Sequence, residues 1–201
     1  MRRRGMNPIL GIILAVFMIG AAVVLTIHDA GFIFLGKTLD LNSIIENGEE
    51  LPRDSYVTYN CYLSFGNYAE TTPYYGFIPL PGKSQEYAVL TEDRYVISAE
   101  INKRSLLYEM DSLTESFFSD EDTDHVPVTL TGCLTTISPD MGGYLEEYFD
   151  GFDLSENGIQ LTYYAIDTTK TRLFLAVTYF AFAALGVAVG FVYLKKLVRG
   201  K

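Results

Sequence analysis

Tryptophan is absent from this 201-residue chain, and cysteine and histidine occur only twice each. The sequence also contains no GxSxG, HExxH or GxxxxGK[ST] stretch, so serine hydrolases, zinc peptidases and P-loop enzymes lack their usual motifs. His28 ends an apolar run and His125 follows Asp124 in an acidic stretch, so neither has a recognisable catalytic partner. We therefore assign no catalytic residues.

Acidic residues are missing from both ends of the chain, because all 25 of them lie between Asp29 and Asp167. Between His28 and Arg172 these 25 acids face only 8 basic residues, which gives that region a net charge of −17. Such a surface repels phosphate backbones and anionic lipid headgroups. Nucleic acid is therefore excluded as a partner.

Charge is also missing from two long apolar runs, the 19 residues 9–27 and the 22 residues 173–194. A helix of 19 residues is about 28 Å long, which matches the hydrocarbon core of a bilayer. Basic residues near span ends are retained in the cytoplasm, and the two tails carry seven of them and no acid. We predict a plasma-membrane protein with cytoplasmic tails 1–8 and 195–201, transmembrane helices 9–27 and 173–194, and an extracytoplasmic domain 28–172.

Two features of the predicted spans leave alternatives open. The first run could instead be a cleaved signal peptide, although it is longer than the usual apolar region of 7 to about 15 residues. In the second run, Gly186 and Gly190 have the GxxxG spacing that lets helices approach closely. This spacing predicts either a homodimer or packing of the two spans within one chain.

The middle region alternates between strand and helix patterns, which predicts an α+β fold. Period-two alternation indicates strands at residues 57–65, 86–90, 95–101, 126–134 and 159–165. The second and third strands are joined through residues 91–94, which predicts a hairpin, and Gly132 suggests a bulge in the fourth. Helical spacing indicates one main helix from Lys103 onward and a short one at 144–149. The expected fold is a small, mostly antiparallel β domain flanked by two transmembrane helices.

Three strands, a helix and two further strands follow an order that is similar to the OB-fold, a five-stranded barrel. The alternative is an open antiparallel sheet with helices on one face. The stretches Asn47–Leu51 and Gly66–Thr71 resemble a group of uncharacterised two-span bacterial membrane proteins with an extracytoplasmic domain. That resemblance implies the architecture and brings no known activity.

Three sets of residues are candidate sites in the outer region. Asp120, Asp122 and Asp124 have the alternating spacing of a Ca²⁺ loop, but the glycine and the final glutamate of such a loop are missing. A solvated acidic loop without any cofactor is the alternative. Cys61 and Cys133 are predicted either to form a disulfide or to be free, buried thiols.

The third candidate is an apolar loop that lies between prolines and glycines and is rich in aromatic residues. It contains Tyr74, Tyr75, Phe77 and Ile78, and exposed apolar loops commonly contact a partner. We predict an interaction or accessory module that binds another membrane protein or an envelope component. The alternative is a membrane-bound hydrolase or transferase that uses paired carboxylates on envelope glycan or lipid.

Overall fold

The computed structural model describes residues 7–72, 74–75, 78–79, 82–119 and 126–199. The chain divides into two compact units. The terminal unit combines Met1–Lys37 with Thr171–Lys201, and the central domain is Thr38–Lys170. The described helices are α1 (Pro8–His28), α2 (Ala30–Leu35), α3 (Leu41–Glu46), α4 (Arg104–Phe118), α5 (Pro139–Tyr148) and α6 (Arg172–Arg199).

Helices α1 and α6 of the terminal unit are long and apolar enough to cross a membrane. Their most apolar segments have mean hydropathies of 2.8 and 2.2, and only 22% and 17% of these segments are buried. The Asn7 side chain caps α1 by accepting a hydrogen bond from the Ile9 amide, and Pro8 occupies the first turn. Helix α2 ends at Gly36, whose φ of 63° suits a residue without a side chain.

The central domain is built on a mixed β-sheet. Its strands are β1 (Leu39–Asp40), β2 (Ser55–Cys61), β3 (Ser64–Thr71), β6 (Ser84–Leu90), β7 (Tyr95–Ile101), β8 (Val128–Thr136) and β9 (Gln160–Asp167), while β4 (Tyr74–Tyr75) and β5 (Ile78–Pro79) form a separate hairpin. The order across the sheet is β1-β2-β8-β9-β7-β6-β3. Neighbours are antiparallel except for the β1–β2 and β7–β9 pairs, which are parallel.

The α+β class is confirmed, but the closed five-stranded barrel is wrong. The sheet has seven strands, and its edges β1 and β3 are not paired with each other within the described residues. The single strand predicted at 57–65 is divided at Tyr62 and Leu63 into β2 and β3, which pair with different neighbours. The alternation of buried and exposed side chains ends there, because Ser64, Phe65 and Gly66 are buried in succession.

Two apolar layers cover the sheet, one on each face. The larger layer joins side chains from β2, β6, β7 and β8 with α3 and α4, and includes Tyr59, Tyr87, Ile97 and Met110. The smaller layer joins β3, β6 and β7 with α5, and includes Phe65, Leu145 and Phe149. Helices thus pack on both faces, whereas the open-sheet alternative placed them on one.

The bulge predicted at Gly132 is also wrong. The β2–β8 register runs without a shift from the pair Ser55 and Leu134 to the pair Cys61 and Val128. A Cβ atom at Gly132 would collide with the backbone carbonyl group of Asp167. Glycine is required here because β9 passes too close for any side chain.

Candidate functional site

A row of three carboxyl groups crosses the central sheet. Glu86 on β6 is the direct partner of Glu100 on β7, and Glu100 is the direct partner of Asp167 on β9. Directly opposite residues point to the same face of a sheet, so the three side chains form one row, here called the acidic row. Glu86 and Asp167 are each only 5% exposed. Like charges in this arrangement are destabilising, so the row calls for a chemical explanation.

Hydroxyl groups connect part of the acidic row. Ser84 Oγ donates a hydrogen bond of 2.7 Å to Glu100 Oε1, and Thr71 Oγ1 lies 2.7 Å from Ser84 Oγ. The Thr71 hydroxyl also lies beside the Glu86 side chain and acts to lower its pKa. Glu86 Oε2 is buried without a hydrogen-bond partner. Buried polar atoms are almost always paired, so this oxygen is exceptional.

Asp167 is held differently from the two glutamates. Its Oδ1 atom accepts hydrogen bonds from the Thr169 amide at 2.9 Å and the Thr169 hydroxyl at 2.6 Å. Its Oδ2 atom forms an ion pair of 2.8 Å with Lys170 Nζ. Asp167 therefore has an amide, a hydroxyl and an ammonium group that stabilise its charge, whereas only the Thr71 hydroxyl acts in this direction on Glu86.

The electrostatics of the row follow from burial and from the neighbouring charges. Burial, then the charges of Glu100 and Asp167, raise the pKa of Glu86 to about 8. Burial and the Asp167 charge also raise the pKa of Glu100, while Ser84 and Lys170 act in the opposite direction. Carboxyl groups with raised pKa values are common at functional sites. The row is therefore suited to binding and releasing a proton near neutral pH.

Sequence reasoning missed the acidic row, although one clue was present. Glu86 and Glu100 each lie within a predicted strand, and the two strands were predicted to form a hairpin. Their pairing would have placed two acids close together. The position of Asp167 beside Glu100 could not be inferred in this way. Strand β9 pairs with β7 in parallel, and the register of this pair shifts between Val96 and Ser98.

Aromatic rings form a second notable feature, here called the aromatic strip: Phe118, Phe117, Phe65, Phe149 and Phe152. Successive ring centroids are 5.0, 5.7, 5.1 and 5.7 Å apart, and all four contacts are edge-to-face. Phe118 at one end is 60% exposed and Phe152 at the other end is 51% exposed. The strip therefore begins and ends in solvent and passes through the smaller apolar layer.

The predicted aromatic loop is only partly described. Tyr74 and Tyr75 form β4 and Ile78 belongs to β5, so these residues lie in a small hairpin. Phe77 lies outside the described residues. Asp120, Asp122 and Asp124 of the predicted Ca²⁺ loop also lie outside them. Within the described part of the chain, no group of three or more His, Cys, Asp or Glu side chains is arranged to hold a metal ion.

Cys61 and Cys133 are not joined by a disulfide in the structure, and Cys61 is buried whereas Cys133 is only partly buried. Cys61 pairs with Val128 and Cys133 pairs with Tyr56, so the two cysteines are five positions apart along the β2–β8 ladder. Five strand residues span about 17 Å, and a disulfide needs Cα atoms within about 7 Å. The register thus disfavours the disulfide, and burial raises the pKa of the Cys61 thiol to about 12.

In the terminal unit, the two predicted packing glycines face α1. A Cβ atom at Gly186 would lie 3.2 Å from the Ala15 carbonyl oxygen, and one at Gly190 would lie 3.3 Å from Ala15 Cβ. Gly11 faces the Tyr193 ring with even less space, because a Cβ atom there would overlap ring atoms. The GxxxG spacing is therefore used for packing between α1 and α6 within one chain.

A polar contact in the terminal unit was not predicted. The Tyr179 hydroxyl of α6 donates a hydrogen bond to Asp29, which directly follows α1 and is buried. His28 Nδ1 lies 2.8 Å from the other carboxylate oxygen of Asp29. Arg172 donates to the carbonyl oxygens of Ile33 and Phe34 at the end of α2. Sequence reasoning missed this contact because Asp29 lies just beyond the uncharged run.

Fold and site together define a chain in which two long apolar helices flank an α+β domain that contains a buried acidic row. The chain belongs to the family described as a domain of unknown function (DUF8577), whose sequence profile matches residues 1–196. A search of curated proteins and a search of solved structures each found no match.

Proposed function

We propose that the chain is a membrane-tethered interaction module, without enzymatic activity, that binds a protein or an envelope component. The aromatic strip is the observation that carries this proposal. Its ends, Phe118 and Phe152, expose more than half of their surface, and each contacts a ring of the same chain. Exposed aromatic clusters supported by buried rings are typical of protein interfaces.

Charge limits what such a partner is made of. The region between His28 and Arg172 has a net charge of −17, so an acidic partner would be repelled at long range. The exposed rings favour an apolar contact surface on the partner. We therefore expect a neutral or basic partner that presents apolar side chains, such as another membrane protein of an accessory complex.

Photo-crosslinking in cells tests this interface. A photoreactive amino acid is placed at Phe118, at Phe152 or at the control position Tyr108. Tyr108 lies on the same helix as Phe118 and is equally exposed, at 60%, but it is not a member of the strip. We expect Phe118 and Phe152 to give one shared crosslinked species that Tyr108 does not give. The absence of a crosslinked species at both strip positions would contradict the proposal.

The proposed localisation is the plasma membrane, with both tails in the cytoplasm and the central domain outside. Seven basic residues and no acid occupy the tails, which favours this orientation. Packing of Gly11 and Ala15 against α6 supports an uncleaved first span, because removal of α1 would expose these contacts. The DUF8577 match also includes α1.

Thiol labelling of intact cells tests the orientation. In a chain whose native cysteines are replaced by alanine, single cysteines are introduced as R3C, R199C or K83C. The Lys83 side chain is 72% exposed, so K83C should react with a membrane-impermeant reagent. R3C and R199C should react only after the cells are permeabilised. Labelling of either tail in intact cells would reverse the proposed topology.

A finer proposal concerns the shape of the sheet. Only Tyr62 and Leu63 separate β2 from β3, yet these strands are far apart in the strand order. Two linking residues reach about 10 Å at most, which supports a strongly curved sheet whose two sides approach each other. If β2 and β3 are counted as one bent strand, α4 follows the third strand. This arrangement is similar to a partly open OB-fold.

The alternative of a carboxylate-dependent hydrolase or transferase has one observation in its favour, the acidic row. Such enzymes need their carboxyl groups in a cleft that admits a sugar or a lipid headgroup. The described cavities of about 300 to 470 Å³ in the central domain have other linings, and Glu86 is 5% exposed. The buried row favours a ligand no larger than a small ion or a proton.

A further inference from the structure

The hydrogen bonds of the acidic row can be counted. Two hydrogen bonds of 2.7 Å run in series, from Thr71 to Ser84 and from Ser84 to Glu100, and the Thr71 hydroxyl also faces Glu86. Each contact needs one hydrogen atom, and each of the two hydroxyl groups supplies one. An ionised carboxylate only accepts hydrogen bonds. Because Ser84 donates to Glu100 and Thr71 donates to Ser84, neither hydroxyl group has a hydrogen left for an ionised Glu86.

One added proton completes the series. A protonated Glu86 donates to Thr71 Oγ1, Thr71 then donates to Ser84 Oγ, and Ser84 donates to Glu100 Oε1. The last donor in this series agrees with the observed Ser84–Glu100 hydrogen bond of 2.7 Å. No other hydrogen is needed, and Glu100 retains the negative charge.

The unpaired oxygen of Glu86 independently indicates that this side chain is protonated. Glu86 Oε2 is buried and has no hydrogen-bond partner, and the residue as a whole is only 5% exposed. A buried ionised oxygen without a partner costs several kcal/mol more than a neutral carbonyl oxygen in the same position. A neutral Glu86 therefore explains why the fold tolerates this atom.

The charged and titratable groups around Glu86 oppose its ionisation. Glu100 on β7 and Asp167 on β9 are negative and act on it directly. Lys170 is paired with Asp167 and also faces Glu100 and Cys133. From β3, the Tyr68 phenol is hydrogen-bonded to Ser98 at 2.7 Å and faces both glutamates. None of these groups offers Glu86 a positive charge.

We propose that Glu86 and Glu100 bind a single proton between them, which makes the acidic row a proton-binding site that senses external pH. When the proton is lost, two adjacent buried carboxylates repel each other across β6 and β7, and no hydrogen remains between Glu86 and Thr71 on β3. The edge of the sheet at β3 is then destabilised. This proposal does not depend on the aromatic strip or on the identity of any partner.

Infrared spectroscopy of the full chain in detergent micelles tests the site. At about pH 6 we expect the absorption of a buried protonated carboxyl group, and this absorption should disappear as the pH rises through about 8. The E86Q variant should lack it at every pH, and the control E109Q, which alters an exposed residue of α4, should retain it. If the wild-type chain shows no such absorption at about pH 6, the proposal is wrong whether or not E86Q folds.

Thermal unfolding provides a second measurement with a defined sign. Because folding raises the pKa of Glu86 from 4.5 to about 8, its contribution to stability is complete below the unfolded value and is lost as the pH rises through the folded value. The unfolding temperature of the wild-type chain should therefore fall between about pH 5 and pH 8 relative to that of E86Q. The glutamine amide supplies the missing hydrogen, so E86Q should fold. Parallel curves for the two chains would contradict the proposal.

A bound cation is the competing outcome. Sodium or calcium chloride would then raise the unfolding temperature of the wild-type chain but not that of E86Q. The infrared absorption of the protonated carboxyl group would also be absent. These two results together would show that the site binds a metal ion instead of a proton, which would overturn the proposal.

Discussion

Replacement of Lys170 by methionine is expected to destabilise the central domain by about 3 kcal/mol at pH 8, because it leaves a buried carboxylate without its cation. Lys170 Nζ lies 2.8 Å from Asp167 Oδ2, and Asp167 is buried beside Glu100 in the acidic row. Breaking a fully buried ion pair costs about 3 to 5 kcal/mol. We use the lower value because the Lys170 side chain is 28% exposed.

Lys83 provides a matched control for this prediction. Its Nζ atom lies 2.6 Å from Glu70 Oε1, which is shorter than the Lys170 contact, but the two side chains are 72% and 47% exposed. Water screens such a pair, so K83M should cost less than about 1 kcal/mol. Urea unfolding followed by near-ultraviolet circular dichroism of the tyrosines measures both variants. Equal losses for K170M and K83M would show that burial does not strengthen the Lys170 pair.

The loss in K170M should shrink as the pH falls, because protonation of the row removes the uncompensated charge. This behaviour connects Lys170 with the proton site. Lys170 acts to lower the pKa of Glu100, so it helps Glu100 to stay ionised while Glu86 holds the proton. The row therefore combines one ion pair and one proton-sharing pair, and together they allow three carboxyl groups to be buried in line.

Local patterns were enough to predict most of the helices and the main hairpin. Helix α4 followed from the apolar spacing of residues such as Met110 and Leu113, which the structure buries. The turn 91–94 between β6 and β7 followed from the polar residues between two alternating runs, and the two strands pair as expected. Helix α6 extends to Arg199, beyond the predicted 194, because lysine and arginine are good helix formers.

Features that depend on register could not be predicted from local patterns. The division at Tyr62 and Leu63 is invisible because Cys61, Leu63 and Phe65 continue the alternation in sequence, although β2 and β3 pair with different neighbours. The acidic row needs the pairings of three strands at once. The aromatic strip likewise joins rings from β3, α4 and the end of α5.

Replacement of Gly132 by alanine is expected to cost about 3 kcal/mol or more, since a single methyl group has no space at this position. The new Cβ atom would collide with the Asp167 carbonyl oxygen and would lie 2.7 Å from its carbonyl carbon and 3.0 Å from the Thr168 amide nitrogen. These are backbone atoms, and rotation of a side chain cannot relieve the contact. The Thr168 amide and hydroxyl both donate to the Glu100 carbonyl oxygen, at 3.1 and 2.7 Å, so β9 is fixed from its other side.

The control for this change is Gly143 in α5, where a Cβ atom would meet nothing within 4 Å. G143A should be neutral or stabilise the chain by up to about 1 kcal/mol, because alanine favours helices. If G132A displaces Asp167, the Lys170 ion pair is lost as well, and G132A combined with K170M should cost less than the sum of the two changes. Urea unfolding of both single variants and of the double variant measures this coupling. A stable G132A chain, or strict additivity, would show that Gly132 does not position Asp167 in the row.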